Sequence, residues 1–272
     1  MKPAISKAAT SRSSSARRGN TVNYRRLPRS SFRRRVTVIA ALGGLAAPAA
    51  KAATATIPIV FSIGGDPVEL GFVASLNRPG GNITGVTFFA AQLLQKQVGI
   101  LHDLVPSATM IGALVNPNNP RSEADASSVL AAARSLGVEV ALVSAGSEDA
   151  LDAAYAELAR RNAGALIIAG DAFFLHAIER LAALAVQHRI ATIFTSRQYA
   201  QAGGLITYGA SVTDSFRQAG VYTGRILKGE KPGDLPVMQP ATFELVINLK
   251  AAKAIGLDVP PHMQQLADEL IE

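Results

Sequence analysis

Apolar positions in this chain follow two alternating rhythms from about residue 36 to the end. Short unbroken runs of β-branched and aliphatic residues read as strands buried on both faces, at 36–41, 57–61, 110–115, 138–143, 165–169, 191–195, 205–208 and 243–248. Between them, apolar residues recur at three- and four-residue spacing, which predicts helices. In the helix expected over 90–105, Leu93, Leu94, Gln97, Ile100, Leu101 and Leu104 share one face. Further helices are expected from Ser122 to about 136, over 147–162, up to about His188, and over 213–228 and 250–255. An Ala-rich helix ends near Thr54, and another is expected between the Gly64-Gly65-Asp66-Pro67 turn and the Pro79-Gly80-Gly81-Asn82 turn. Ser122 reads as an N-cap, and Gly137 and Gly256 as stops.

Strand and helix in regular alternation define an α/β chain whose parallel sheets are covered by helices. Right-handed crossovers then bring every strand-end loop to one edge of its sheet, the carboxyl edge, where open α/β sheets bind ligands. The loops at that edge are therefore the place to look for chemistry.

Composition narrows the chemistry. The chain has 272 residues, 49 % hydrophobic and 17 % charged, which suits a globular protein with one large domain or two small ones. It has no cysteine, so disulfide frameworks and thiolate metal sites are excluded, and the four histidines (102, 176, 188, 262) lack ligand spacing. The formal charge of +7 is unevenly placed: residues 1–35 hold 11 of the 27 Lys and Arg and no acid, leaving 16 basic against 20 acidic residues beyond them. That basic tail lacks interleaved aromatics and helical periodicity, so it reads as solvated and disordered, without the marks of a nucleic-acid surface.

Enzymatic signatures are absent: there is no GxSxG, HExxH, Walker A or GxGxxG spacing, and no convincing pair of acids. No cofactor, metal or catalytic activity is expected. A binding site is easier to assemble. The loop Asn116-Pro117-Asn118-Asn119-Pro120 leads to Ser122, placing amide groups and a helix N-terminus at a strand's carboxyl end, which suits a ligand carboxylate. Ordinary turn chemistry accounts equally well for Asn118 and Asn119, and capping for Ser122. Asp171 follows another buried strand and suits either a ligand ammonium or a helix cap. Phe173 and Phe174 offer an apolar wall, with one of them expected in the core.

Three blocks add a second line of reading. AAKAATATIPIVFSIGGDPVELGFVASLNRPGGNITGVT (49–87), GRILKGEKPGDLPV (224–237) and FELVINLKAAKAIGLDVPP (243–261) resemble the periplasmic-binding-protein-like substrate-binding subunits of ABC transporters. The likeness is to the branch with tryptophan- and tyrosine-type amino-acid binders, over residues 36–272. The resemblance implies a type I fold of two α/β lobes that clasp a small polar solute, an amino acid or related carboxylate. It also implies a permease and an ATPase as partners, a periplasmic location, no nucleic-acid binding and no membrane span. It makes Asp66 a cleft position, although Asp before Pro also initiates turns. Arg197 and Tyr208 join the candidates; Arg197 departs from the polar or acidic residue the family places nearby.

On this reading the first lobe comprises 36–87 with 206–228, the second 88–205 with 243–248, and 249–272 is a terminal helical segment. Residues 32–53 look like an export signal, with tandem arginines, a short apolar run and the small residues Ala50 and Ala52 flanking Lys51. The resemblance instead makes Val36 onward folded protein. Residues 1–35 match nothing in the family and read as a transit peptide, an out-of-frame translation or a misplaced start, the last two preferred. The family carries two further strand–helix units ahead of this point, so the first lobe is expected to be incomplete. A bare apolar edge at 36–41, reduced stability and weak or no ligand binding are expected with it. A ligand-sensing regulatory module and a non-functional remnant are the alternative readings.

Overall fold

Two sheets, each covered by helices, organise the computed structural model, which describes residues 5–7, 36–43, 46–88, 90–239 and 243–272. The chain divides into two compact units, one of residues 1–89 and 212–241 and the other of 90–211 and 242–272.

In the first unit, strands β1 (Ile5–Lys7), β2 (Val38–Leu42), β3 (Ile59–Ile63) and β4 (Ile83–Thr87) form an all-parallel sheet in that spatial order. Alternation along the strands splits its apolar residues between two faces. Ile39, Ala41, Ile59, Phe61 and Ile63 pack with Ala47 and Ala50 of helix α1 (Ala46–Ala53) and with Phe72 and Val73. Val38 and Val60 meet Ala219, Tyr222 and Ile226 on the opposite side. Residues 36–53, which look like an export signal in sequence, thus supply a central strand and a covering helix.

Two expectations for this unit are corrected. The edge at 36–41 is not bare, because Ile5, Ser6 and Lys7 pair in parallel with Val38, Ile39 and Ala40. The rest of the 1–35 tail, and its expected disorder, lies outside the described residues. Residues 67–79 form a succession of turns instead of a helix. Leu70 N donates to Asp66 O and Phe72 N to Pro67 O, but Gly71 at φ +65° breaks the run, and Pro79 with Gly80 follows closely.

The second unit is a seven-stranded sheet. Its strands are β5 (Met110–Val115), β6 (Glu139–Ser144), β7 (Ala165–Ile168), β8 (Ala191–Phe194), β9 (Ile206–Ala210), β10 (Phe243–Asn248) and β11 (Glu269–Ile271). Their spatial order is β11-β10-β9-β8-β7-β5-β6. Strands β5 to β9 are parallel, but β10 runs antiparallel to β9 and carries β11 beside it in its own direction. On one face lies helix α2 (Ala90–Leu104), burying the predicted stripe of Leu93, Leu94, Gln97, Ile100, Leu101 and Leu104, together with α3 (Ser122–Ser135). The other face is covered by α4 (Glu148–Arg160) and, after the short α5 (Ala172–His176), by α6 (Ile178–His188).

Strand β9 hydrogen-bonds to β8 and β10 and so belongs to this sheet; the chain returns to the first unit at Val212, where α8 (Val212–Leu227) begins, and not at 206. The segment 249–272 is likewise no appendage: α9 (Leu249–Ile255), α10 (Pro261–Leu266) and β11 pack into the same core through Ala251, Ala252 and Met263.

Gly85 exposes how tightly the first sheet is built. A Cβ there would lie 2.1 Å from Phe61 O and 2.6 Å from Phe61 N, backbone atoms that cannot swing away. We expect Gly85→Ala to destabilise the first unit by about 1–3 kcal/mol, the usual cost of overpacking. Hydrogen exchange followed by mass spectrometry checks this: protection should fall across β3 and β4, and unchanged protection would contradict the packing described.

Candidate functional site

The carboxyl ends of β5 and β7 carry a hydrogen-bonded cluster centred on Asp171. Its backbone is extended (φ −150°, ψ 148°), and its side chain caps α5 by accepting from Phe173 N at 2.7 Å. The same Oδ1 accepts from Asn116 Nδ2 at 2.8 Å, and Oδ2 from Asn119 Nδ2 at 2.9 Å. The other end of each amide is also used. Asn116 Oδ1 accepts from Asn118 N, and Asn119 Oδ1 from Arg121 N, both at 3.0 Å. Two asparagines thus relay one carboxylate into the peptide backbone of the 116–121 loop. All three donors to Asp171 are neutral, and among the described residues no cation lies within ion-pair distance of it.

The helix entry beside this cluster differs from expectation. Ser122 is not the N-cap of α3; Arg121 is, with αR backbone and no side-chain cap bond. The reason is the loop itself: Ser122 N is already tied to Asn119 O at 3.0 Å, which draws Ser122 into the first helical turn. Arg121 instead reaches Asp125 at 2.9 Å across one turn. Asp125 is only 3 % exposed, and burial raises its carboxyl above the ordinary value of 3.8. Arg121 works against that rise, while the negative charge of Asp171 adds to it.

Phe174 is the core member of the aromatic pair, fully buried; Phe173 is half-buried and leans on it at 5.4 Å between ring centroids. Where loops were expected after β7 and β8, short helices form at Ala172–His176 and Arg197–Gln201. The second of these, α7, begins with Arg197, whose guanidinium is paired with Glu244 at 3.5 Å and with Glu269. Both partners come from the β10 and β11 strands, which the sequence pattern did not place beside it. Tyr208 stacks on Phe243 at 5.8 Å with an 18° interplanar angle. Burial raises its phenol pKa, and the neighbouring Asp268 charge raises it further. In the first unit, Asp66 Oδ1 accepts from Val68 N at 2.8 Å and forms the turn that Asp-Pro predicts.

The structure therefore gathers Asn116, Asn118, Asn119, Ser122, Asp171 and Phe173 at one stretch of the second sheet's carboxyl edge. Arg197 follows β8 at the start of α7, Tyr208 lies on β9 of that sheet, and Asp66 belongs to the other unit. Sequence reasoning missed Arg121, Asp125 and Gly146. Gly146 lies in the loop between β6 and α4, and applying the carboxyl-edge rule to every predicted strand would have found it. Among the described residues no group of three or more His, Cys, Asp or Glu is arranged to hold a metal, and no helix is long and apolar enough to cross a membrane.

Comparison with known proteins gives this architecture its class. A solved conserved domain protein from Vibrio cholerae O1 biovar El Tor N16961 superposes with a TM-score of 0.81 at 25 % identity, covering 89 % of this chain and 81 % of that one. A Streptococcus pneumoniae ABC domain solved in complex with L-Trp gives 0.79 at 24 % identity, covering 88 % and 80 %. The fold is that of the type I periplasmic binding proteins. A family model described as ABC transporter substrate binding protein matches residues 17–271, and the chain belongs to that family. The match begins inside the basic segment expected to lie outside it. A tyrosine-binding protein of Clostridioides difficile R20291 is 26 % identical over 220 residues; the alignment covers 81 % of this chain and 63 % of that protein's length.

The Arg121–Asp125 pair makes a pH-dependent prediction. Because burial raises the folded Asp125 pKa, its charged form is a cost at neutral pH that is relieved as pH falls through the folded value. Removing the counter-charge with Arg121→Met should cost about 2–3 kcal/mol at pH 7, below the range for a fully buried pair since Arg121 is 29 % exposed. The loss should shrink as pH falls through the raised folded value, above the ordinary 3.8, where the carboxyl takes up a proton. Urea titrations at several pH values measure it; a loss that does not vary with pH would contradict the assignment.

Proposed function

We propose that the chain is the substrate-binding subunit of an ABC importer and captures a small polar solute bearing an ammonium group, an amino acid of the aromatic type foremost. The observation that carries this reading is the Asp171 carboxylate, held at a strand edge by three neutral donors with no cation beside it. A carboxylate offers about four lone-pair positions, and three are taken. The fourth, on Oδ2, suits a charge-assisted bond to a ligand ammonium, shorter and stronger than a neutral one. Phe173 stands half-buried two residues on, where an aromatic or aliphatic side chain would meet it.

Family membership supports the importer role. A relative named for tyrosine binding and a structural neighbour solved with L-Trp support the ligand class. On this reading a permease and an ATPase are the partners, and the periplasm the place of work. Asp66, Asn118, Ser122, Arg197 and Tyr208 are proposed as further ligand-facing positions, Arg197 in exchange for one of its two acidic partners. Asn116 and Asn119 act in the same site through Asp171.

Calorimetry against an amino-acid panel, with the des-amino acid of each binder alongside, tests the reading. With the 36–41 edge paired by residues 5–7, the weak binding expected of a bare edge is set aside, and L-tyrosine or L-tryptophan is expected to bind with Kd of about 1 μM, roughly 8 kcal/mol. The des-amino analogue should bind at least tenfold more weakly, and Asp171→Asn should erase most of that difference. The absence of heat with every amino acid at millimolar concentration would overturn the proposed ligand class. An undiminished preference for the ammonium in Asp171→Asn would remove Asp171 from its role.

A further inference from the structure

We infer that Gly146 is a positioning residue: its missing side chain is the seat that holds the Asn118 amide at the carboxyl edge, and Asn118 is the asparagine of this loop that reads the ligand directly. The inference rests on the amino-acid-binding reading and divides the labour among three asparagines that the sequence alone cannot tell apart. Asn116 and Asn119 spend both ends of their amides on Asp171 and on loop peptide N–H groups. The Asn118 side chain is exposed, and among the described residues it has no hydrogen-bond partner. It therefore retains one acceptor and two donors for a ligand.

What lies beneath that amide comes from the neighbouring edge strand. Ala145 N donates to Val115 O at 3.0 Å, which continues the pairing of β5 and β6 past their ends and brings residue 146 alongside 116–118. A Cβ on Gly146 would lie 2.5 Å from Asn118 Nδ2 and 3.3 Å from Asn116 Oδ1. Gly146 is not among the glycines with positive φ, so its backbone would accept alanine. What a Cβ there would take is the space under Asn118 and, less tightly, the space beside Asn116 Oδ1. The obstructing atom is the free end of a flexible side chain, so a Cβ would re-aim the Asn118 amide without disturbing the strands below.

The test is a double-mutant cycle on the full chain, with Asn118→Ala, Gly146→Ala and the pair, read by calorimetry with L-tyrosine and L-tryptophan and by thermal melting. Each single change should weaken binding about five- to tenfold, in the range of one lost hydrogen bond, with the melting temperature shifted by less than about 2 °C. The pair should be no weaker than either single variant, because both remove the same contact. Unchanged affinity in Asn118→Ala, or additive losses, would overturn the inference. A wild-type chain that binds neither amino acid refutes the ligand reading instead. In that event NMR of the asparagine side-chain amides decides: Gly146→Ala should shift the Asn118 resonances and leave those of Asn119 in place, and unmoved Asn118 resonances would refute the seat.

Discussion

One carboxylate ties two strand ends together here, and the candidate site depends on it. Asp171 follows β7, and the loop it organises follows β5, its hydrogen-bonded neighbour in the sheet. Without Asp171 the Asn116 and Asn119 amides would lose their acceptor, and the 116–121 loop would lose the relay that sets its course. The same residue caps α5, so the entry of that helix and the shape of the loop are fixed together. Its charge also bears on Asp125, which leans on Arg121 in compensation. Neutral donors leave the charge of this carboxylate uncancelled, which fits the ammonium-bearing solute proposed for it.

The fold makes such an arrangement possible by placing successive loops side by side. Five parallel strands, β5 to β9, bring the residues that follow them to one edge. Two strands of the opposite sense, β10 and β11, then bring Glu244 and Glu269 to Arg197. Burial of both sheet faces supplies the rigidity beneath, since interiors packed this densely leave strand ends little freedom.

Much of the fold was legible in the sequence because each element obeys one period. The stripe from Leu93 to Leu104 and the unbroken run 110–115 have their expected bounds to within a residue. Misreadings arose where a local rule met a competing one. The turns at 67–79 begin with a capping Asp and Pro, as a helix would, but Gly71 and the closely following Pro79 prevent propagation. Ser122 has the chemistry of a cap, yet the Asn119 carbonyl claims its N–H first. Strand β9 was assigned to the wrong unit because apolar pattern alone cannot say which sheet a strand joins. For the site, residue type and strand-end position nominated Asn116, Asn118, Asn119 and Asp171. Which amides are spent and which is free depends on distances between loops fifty residues apart in sequence. Nor can sequence distinguish a glycine needed for its φ from one needed for the space beside it.

A crystal structure of the chain grown with L-tyrosine tests the central claim most directly. The account predicts the ligand ammonium within about 3 Å of Asp171 Oδ2, the Asn116 and Asn119 bonds to that carboxylate intact, and the Asn118 amide turned onto the ligand. A ligand seated away from this edge, or Asp171 with its present three partners and no ligand beside it, would contradict the account.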